Sequence, residues 1–197
     1  MKNEKPQANL IGWNLLGYQY LFQSQWFNLR QDKIQIINNK ELTYTYVEHP
    51  GAVFIVPITE NLEVILIHSY RYPIDRWCWE VPAGSLGDQD KLSPSDVAHK
   101  ELVEEIGGET KNLKSLGSYY MANGFASLEN HFFIAYDTIV SFTRQKEDTE
   151  VIREIKVLPI EQALKMIQNG EINDGESAFA ILLAFMEMRS VHQFTGK

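Results

Sequence analysis

Three features of the sequence predict an α/β (α+β) fold. Residues 27–36 alternate apolar and polar side chains, which is the pattern of a half-buried strand. Residues 52–57 are apolar on both faces, as expected of a central strand that helices cover. Residues 93–106 begin with a helix-start signal and continue with helical spacing. Their order predicts a small antiparallel β meander, followed by a mixed sheet with helices packed on it.

Composition and charge exclude several classes of function. The chain has 197 residues and a formal net charge of -8, whereas a nucleic-acid-binding surface needs a basic stripe. Residues 1–7 are polar, and the apolar run 178–186 is too short to cross a bilayer. Cys78 is the single cysteine, so no intrachain disulfide forms. We expect a cytoplasmic protein whose partners are neither nucleic acid nor membrane.

The predicted meander covers residues 13–48. Residues 13–26 are rich in aromatic residues and leucine, without a clean period. The strand over 27–36 is followed by turn-forming residues 38–40 and by a returning strand over 42–47.

The predicted main domain continues with strands and ends in helices. Residues 79–84 read as a short strand that ends in a sharp turn, where Gly84 allows unusual backbone angles. The other predicted strands are 52–57, 62–68, 116–121, 131–136 and 155–158, and the terminal helices are 160–168 and 174–189.

The central helix is predicted from its ends. Ser93 is placed as the N-cap, Pro94 as the first helical residue and Asp96 as the partner in a capping box. Gly107 follows the last apolar residue, where a left-handed cap is expected.

Three carboxylates lie close together in the last turns of this helix. Glu101, Glu104 and Glu105 have the spacing i, i+3, i+4 and share one face, with Leu102, Val103 and Ile106 predicted to hold the opposite face to the core. The negative end of the helix dipole disfavours each carboxylate by about 0.3–1 kcal/mol. Lys100 offsets part of this through an i,i+4 contact with Glu104. Two interpretations follow: a solvated acidic face, or a site for a divalent cation.

Gly84, the loop after it and residues 100–107 together resemble the Nudix box. Residues 70–73, 79–84 and 169–174 are similar to segments of the ADP-ribose pyrophosphatase branch of that family. The resemblance implies a Nudix-type α/β/α sandwich with a mixed sheet over residues 49–197. It also implies that residues 1–48 form a dimerisation element, so that the protein is a homodimer.

The sequence departs from the family pattern at four places. The loop from Gly84 to Glu101 is two residues longer, so the first glutamate of the pattern falls on Asp90 or on Leu92, depending on the end from which one counts. Lys100 replaces an arginine and loses its bidentate fork. Gly108 replaces an aliphatic residue.

The implied reaction is Mg²⁺-dependent hydrolysis of the pyrophosphate in a nucleoside diphosphate linked to another group, with ADP-ribose or a related nucleotide sugar expected. Two or three Mg²⁺ ions, or Mn²⁺ in their place, are assigned to the carbonyl of Ala83 and to Glu101, Glu104 and Glu105. The alternative is a catalytically weak Nudix-fold module that senses nucleotides.

The remaining roles are also implied by the resemblance. The general base is expected on an acidic loop, at Glu150 or else at Glu147, while Glu105 contributes to catalysis. Arg71, Glu80 and Glu129 are the expected substrate-binding residues.

Overall fold

The computed structural model describes residues 5–87, 92–141 and 151–194. The chain forms two compact units. One contains the residues up to Pro50 together with Tyr120–Glu129. The other contains Gly51–Tyr119 and the residues from Asn130 onward.

The described strands and helices are numbered in chain order. The strands are β1 (Asn14–Gln23), β2 (Asn28–Gln35), β3 (Glu41–Glu48), β4 (Ala52–Pro57), β5 (Glu63–Arg71), β6 (Arg76–Glu80), β7 (Ala83–Ser85), β8 (Gly108–Glu109), β9 (Asn112–Tyr120), β10 (Ala126–Ser127), β11 (Glu129–Tyr136), β12 (Ile139–Val140) and β13 (Ile152–Pro159). The helices are α1 (Pro6–Leu10), α2 (Pro94–Ile106), α3 (Ile160–Gln168) and α4 (Gly175–Phe194).

The first unit contains a sheet in the order β1-β2-β3-β10. Strands β1, β2 and β3 are antiparallel, and β10 adds to β3 in parallel. The pairing register of β1 shifts between Leu15 and Gly17 and again between Tyr20 and Phe22. Each shift breaks the alternation of side chains, which explains why the sequence of β1 has no period of two.

A buried ion pair lies in the first unit and was not predicted. Arg30 donates from Nε to Oδ1 of Asp32 at 2.6 Å, and both side chains are almost fully buried. Glu48 accepts a further bond from Arg30 at 3.1 Å, and the Tyr46 hydroxyl donates to Asp32 at 3.3 Å. A charge in this position needs all of these partners because water cannot solvate it.

The second unit has the predicted layered α/β/α arrangement with mixed sheets. Strand β4 lies inside the sheet β7-β4-β11-β9, parallel to β11 and antiparallel to β7. Val53 and Ile55 of β4 belong to a core cluster with α2. From the other face, Phe54 stacks on Phe132, and Phe132 meets Phe179 of α4 edge-on. The two-sided apolar pattern of β4 therefore reflects helices on both faces.

The predicted strand over residues 79–84 is divided into β6 and β7. The break falls at Val81 and Pro82, where proline has no N–H for a ladder bond. The carbonyl of Pro82 instead accepts a hydrogen bond from the N–H of Ile55 at 2.9 Å.

A second sheet, in the order β13-β5-β6, carries aromatic and charged side chains on one face. His68 stacks on Trp79 with ring centroids 4.2 Å apart, and Lys156 lies 4.0 Å from the centre of the Trp79 ring. Arg153 donates from Nε to Nδ1 of His68 at 3.1 Å. Burial lowers the pKa of His68, and Arg153 and Lys156 lower it further, against the opposing effect of Glu154.

Within the described residues, no helix combines the length and the apolar character needed to cross a membrane.

Candidate active site

Helix α2 forms where its end signals predict. The Ser93 side chain accepts from the N–H of Asp96 at 3.2 Å, and the Asp96 carboxylate accepts from the N–H of Ser93 at 3.0 Å, which completes the capping box. Pro94 occupies the first turn, and Gly107 closes the helix with φ of 61° in the left-handed region. These local predictions are confirmed.

The acidic face of α2 is not a solvated surface. Glu101 is 7% exposed and Glu105 is 4% exposed. Both lie on the buried side with Leu102 and Ile106. Val103, predicted to face the core, is 37% exposed, so that prediction is wrong. Positions 101 and 105 are one turn apart and lie beside position 102, whereas position 103 points away from them.

Gly84 allows the Glu101 carboxylate to lie directly against the backbone of β7. A Cβ at Gly84 would stand 2.2 Å from both Cδ and Oε1 of Glu101. Gly84 is not among the residues at positive φ, so the backbone freedom that glycine allows is not used at this position. This position needs glycine because any side chain would occupy the space of the carboxylate.

Glu105 is fixed by the same strand, β7. The backbone N–H of Ala83 donates to Oε2 of Glu105 at 2.9 Å. Two successive residues, Ala83 and Gly84, therefore meet the two buried carboxylates of α2. A hydrogen bond from the backbone to a charged acceptor compensates part of the cost of burying it.

Glu104 has a different environment from the other two glutamates. Its Oε2 lies 2.9 Å from Nζ of Lys100, which confirms the predicted i,i+4 contact. The same ammonium lies 4.0 Å from Oε1 of Glu101. Lys100 thus neutralises the outer edge of the acidic face, although it lacks the bidentate geometry of arginine.

Arg71 and Glu80 form a bidentate ion pair across β5 and β6. Nε of Arg71 lies 2.9 Å from Oε1 and 3.0 Å from Oε2 of Glu80, and Nη2 lies 2.5 Å from Oε2. Glu80 is buried, whereas the Arg71 side chain is half exposed. The structure gives Glu80 the role of orienting Arg71, and direct substrate binding by either residue stays a prediction.

Arg71 interacts electrostatically with Glu105 of α2. The hydrogen bonds to Glu80 raise the pKa of Arg71, and the carboxylates of Glu105 and Asp174 add to this effect. Burial raises the pKa of Glu80, and the bond from Arg71 acts in the opposite direction. The half-exposed Arg71 guanidinium therefore lies within electrostatic range of the buried Glu105 carboxylate, an arrangement that suits an anionic substrate that also needs a cation.

Two residues at the start of α4 were not assigned a role from the sequence. The Asp174 carboxylate accepts from the N–H of Ser177 at 2.8 Å, and the Ser177 hydroxyl accepts from the N–H of Val81 at 3.1 Å. Val81 lies two residues before Ala83, whose N–H donates to Glu105. Residues 169–174 are similar to a family segment, but no sequence signal places Ser177 against a residue 96 positions earlier.

The oxygen donors at this site fit a hard divalent cation. Mg²⁺ prefers one or two carboxylates with water and substrate oxygens over a complete cage of protein ligands. Among residues 5–87, 92–141 and 151–194, no group of three or more His, Cys, Asp or Glu side chains is arranged to hold a metal. Glu101 and Glu105, with the adjacent backbone of Ala83, supply the donors that such an ion takes.

The other predicted site residues have different outcomes. Asp90, Glu147 and Glu150 lie outside the described residues. Glu129 is half-buried at the start of β11 and belongs to the first unit, so its role stays a prediction. Gly108 has a clear steric reason, since a Cβ there would stand 2.9 Å from Cδ1 of Ile106.

The fold and the site define a class of protein: an α/β/α domain in which an acidic helix holds buried carboxylates against a glycine-containing strand, β7. A family model, the NUDIX domain, matches residues 48–178. The chain belongs to the NUDIX family. The predicted enzyme class, a Nudix hydrolase acting on a phosphoric anhydride, is confirmed with the family.

Similar proteins agree with this assignment. An ADP-ribose pyrophosphatase of Bacillus subtilis (strain 168) is 29% identical over 166 residues, which cover 84% of this chain and 89% of that protein. A GDP-mannose pyrophosphatase of Enterobacter sp. (strain 638) is 30% identical over 172 residues, covering 82% and 85%. A crystal structure of an ADP compounds hydrolase has a TM-score of 0.77 at 20% identity, covering 90% of this chain and 95% of the other, and so shares the fold.

Proposed function

We propose that this enzyme hydrolyses the pyrophosphate of a nucleoside diphosphate linked to a sugar, with ADP-ribose or a related nucleotide sugar as substrate and Mg²⁺ as cofactor. The products are a nucleoside monophosphate and a sugar phosphate. The observation that carries the proposal is the pair of buried carboxylates, Glu101 and Glu105, held against Ala83 and Gly84. The named activities of the similar pyrophosphatases support the choice of substrate class.

The metal ligands in this proposal are Glu101, Glu105 and the carbonyl of Ala83, with Glu104 at the outer edge. Bound Mg²⁺ supplies charge neutralisation on the phosphates and lowers the pKa of a water molecule. The chain's own contribution is to hold the carboxylates in place before substrate arrives. The contacts of Glu101 with Gly84 and of Glu105 with Ala83 do this from the backbone, which cannot rotate away as a side chain can.

Arg71 is the proposed phosphate-binding residue. Glu80 engages its Nε and Nη2, and this fixes the plane of the guanidinium. We assign Nη1 and the outer side of Nη2 to a phosphate oxygen. An arginine held in this way loses less conformational entropy on binding than a mobile one. Glu129 is kept as a proposed substrate-binding residue.

The general base is proposed to be Glu150, with Glu147 as the second candidate. Glu105 is assigned mainly to the metal, so a further carboxylate must accept the proton of the attacking water. The pH dependence of kcat in Glu150→Gln and Glu147→Gln tests this, since the base variant loses the acidic limb of the profile.

A homodimer through the first unit is part of the proposal. Strand β1 lies at the edge of its sheet, and Leu16, Tyr18, Leu21 and Phe22 of this strand are exposed. An exposed apolar edge strand commonly pairs with another chain. Light scattering after size-exclusion chromatography should give twice the chain mass of 22.7 kDa.

The experiment is a substrate panel at fixed enzyme concentration. ADP-ribose, GDP-mannose, other nucleotide sugars and dinucleotides are incubated with Mg²⁺, with Mn²⁺ and with chelator, and products are separated by chromatography. We expect release of a nucleoside monophosphate only with divalent metal. Glu105→Gln should lose nearly all activity, while Glu161→Gln, at an exposed site on α3, should keep it.

Absence of turnover across the whole panel would overturn the proposal. Stabilisation of the fold by ADP-ribose without turnover would instead support the sensing module. The burial of Glu101 and Glu105 favours the enzyme, because burying two carboxylates is costly and hydrophobic residues would be more stable in these positions if catalysis did not require the charge.

A further inference from the structure

We propose that Ser177 is a positioning residue for the metal-binding turn, acting through the backbone of Val81. This inference rests on the proposed function, since it concerns the same carboxylates and the same turn. Helix α4 would then contribute to catalysis, although it lies far from α2 in the sequence.

The turn from Val81 to Ala83 is held at each of its three residues by a different element. The N–H of Val81 donates to Oγ of Ser177 on α4 at 3.1 Å. The carbonyl of Pro82 accepts from the N–H of Ile55 on β4 at 2.9 Å. The N–H of Ala83 donates to Glu105 on α2 at 2.9 Å. The position of the carboxylate thus depends on the turn, and the turn depends on Ser177.

Ser177 is itself fixed by the start of its helix. Its N–H donates to the Asp174 carboxylate at 2.8 Å, which is an N-terminal capping interaction. The N–H of Ala178 donates to the Asp174 carbonyl at 3.0 Å and closes the first turn. Ser177 is fully buried, so its hydroxyl has no access to bulk water as an alternative partner.

Pro82 transmits the constraint from Val81 to Ala83. The pyrrolidine ring holds φ of Pro82 near about −65°, which removes one of the backbone rotations between the two residues. An anchor on the Val81 N–H therefore restricts the orientation of the next peptide units. Without it, the Ala83 peptide can shift, which moves the Ala83 carbonyl and also the Glu105 carboxylate that accepts from the Ala83 N–H, and both groups are assigned to the metal.

Residues that orient metal ligands through hydrogen bonds change metal affinity by about 10–100-fold when they are removed. We therefore expect Ser177→Ala to weaken Mn²⁺ binding by about tenfold or more. Its kcat should fall with Mg²⁺, while KM for ADP-ribose at saturating metal should change much less. A purely structural role would lower Tm and leave the affinity of the folded protein for Mn²⁺ unchanged.

The test compares the full chain with three variants by electron paramagnetic resonance of free Mn²⁺, steady-state kinetics and thermal unfolding. Ser190→Ala is the matched control, because it removes a hydroxyl from the same helix where that hydroxyl donates to the carbonyl of Glu187, within its own helix. Ser177→Cys keeps the volume with a weaker acceptor, and it should fall between the wild type and Ser177→Ala. If Ser177→Ala does not fold, Ser177→Cys decides the question by the same readouts.

Wild-type affinity for Mn²⁺ and wild-type kcat in Ser177→Ala, whatever its Tm, would overturn the inference. Failure of the proposed function looks different. A wild-type protein that binds Mn²⁺ without cleaving any substrate refutes the hydrolysis but still allows the test of Ser177 by Mn²⁺ affinity. A wild-type protein that does not bind Mn²⁺ refutes both.

Discussion

Gly84→Ala is the substitution whose consequence follows most directly from the geometry. The new Cβ would stand 2.2 Å from the carboxyl carbon and from Oε1 of Glu101. Ordinary contact begins at 3.4 Å, so the carboxylate must move by about 1.2 Å. Alanine is compatible with the backbone here, because Gly84 is not at positive φ. The effect is therefore confined to the position of Glu101.

A displacement of about 1 Å at a reacting centre costs about 100-fold in rate, which corresponds to about 2.7 kcal/mol of transition-state stabilisation. Overpacking costs a further 1–3 kcal/mol or so of folding free energy, equivalent to a fall in Tm of roughly 2–12 °C in a chain of this size. We expect Gly84→Ala to reduce kcat for ADP-ribose by at least about 100-fold and to lower Tm within that range.

The assay pairs steady-state kinetics at saturating Mg²⁺ with thermal unfolding by circular dichroism. Gly17→Ala serves as the control, since a Cβ there meets nothing within 4 Å and the residue is exposed. Combining Gly84→Ala with Glu101→Asp, which shortens the side chain, should recover Tm without recovering kcat. Wild-type kcat and Tm in Gly84→Ala would refute the close approach of Glu101 to β7.

Three further predictions concern other parts of the chain. Asp32→Ala should lower the free energy of unfolding by about 3–5 kcal/mol in chemical denaturation, because it leaves the buried Arg30 without its main partner. Lys33→Ala, which removes an exposed ion pair, should lower it by at most about 1 kcal/mol. The pKa of His68 is lower in the folded chain than its usual value of 6.5, so as the pH falls the unfolded chain binds a proton more readily than the folded chain does. Tm should therefore fall between pH 7.5 and about pH 5.5, and it should fall less in His68→Phe. An equal fall in both proteins would contradict this. Burial raises the pKa of the Cys78 thiol, so it should react with a thiol reagent only on unfolding, and rapid reaction of the native protein would contradict its burial.

Local rules were sufficient where an element depends on its own residues. Helix α2 begins and ends as Ser93, Asp96 and Gly107 predict, because capping is decided within one turn. Strand β1 could not be recognised by period, since two register shifts interrupt its alternation. Strands β6 and β7 were predicted as one strand although Pro82 marks a break in the sequence, and the structure adds that the Pro82 carbonyl accepts from the N–H of Ile55 in β4.

The candidate site likewise combines features that follow from local sequence with features that depend on contacts between distant segments. The glutamates of α2 were found by their spacing, but their burial depends on the approach of Gly84, which the spacing does not contain. The contact between Arg71 and Glu80 joins neighbouring strands whose register the sequence does not specify. Ser177 requires the packing of α4 against β4, an interaction between segments far apart in the chain.

The central claim is that Glu101 and Glu105 hold a divalent cation against β7 at Ala83 and Gly84. The most direct test is a Mn²⁺ titration of the wild type and of the double variant Glu101→Gln, Glu105→Gln, followed by electron paramagnetic resonance. The account predicts saturable binding in the wild type and its loss in the double variant, with the fold retained. Equal Mn²⁺ binding by the two proteins would contradict it.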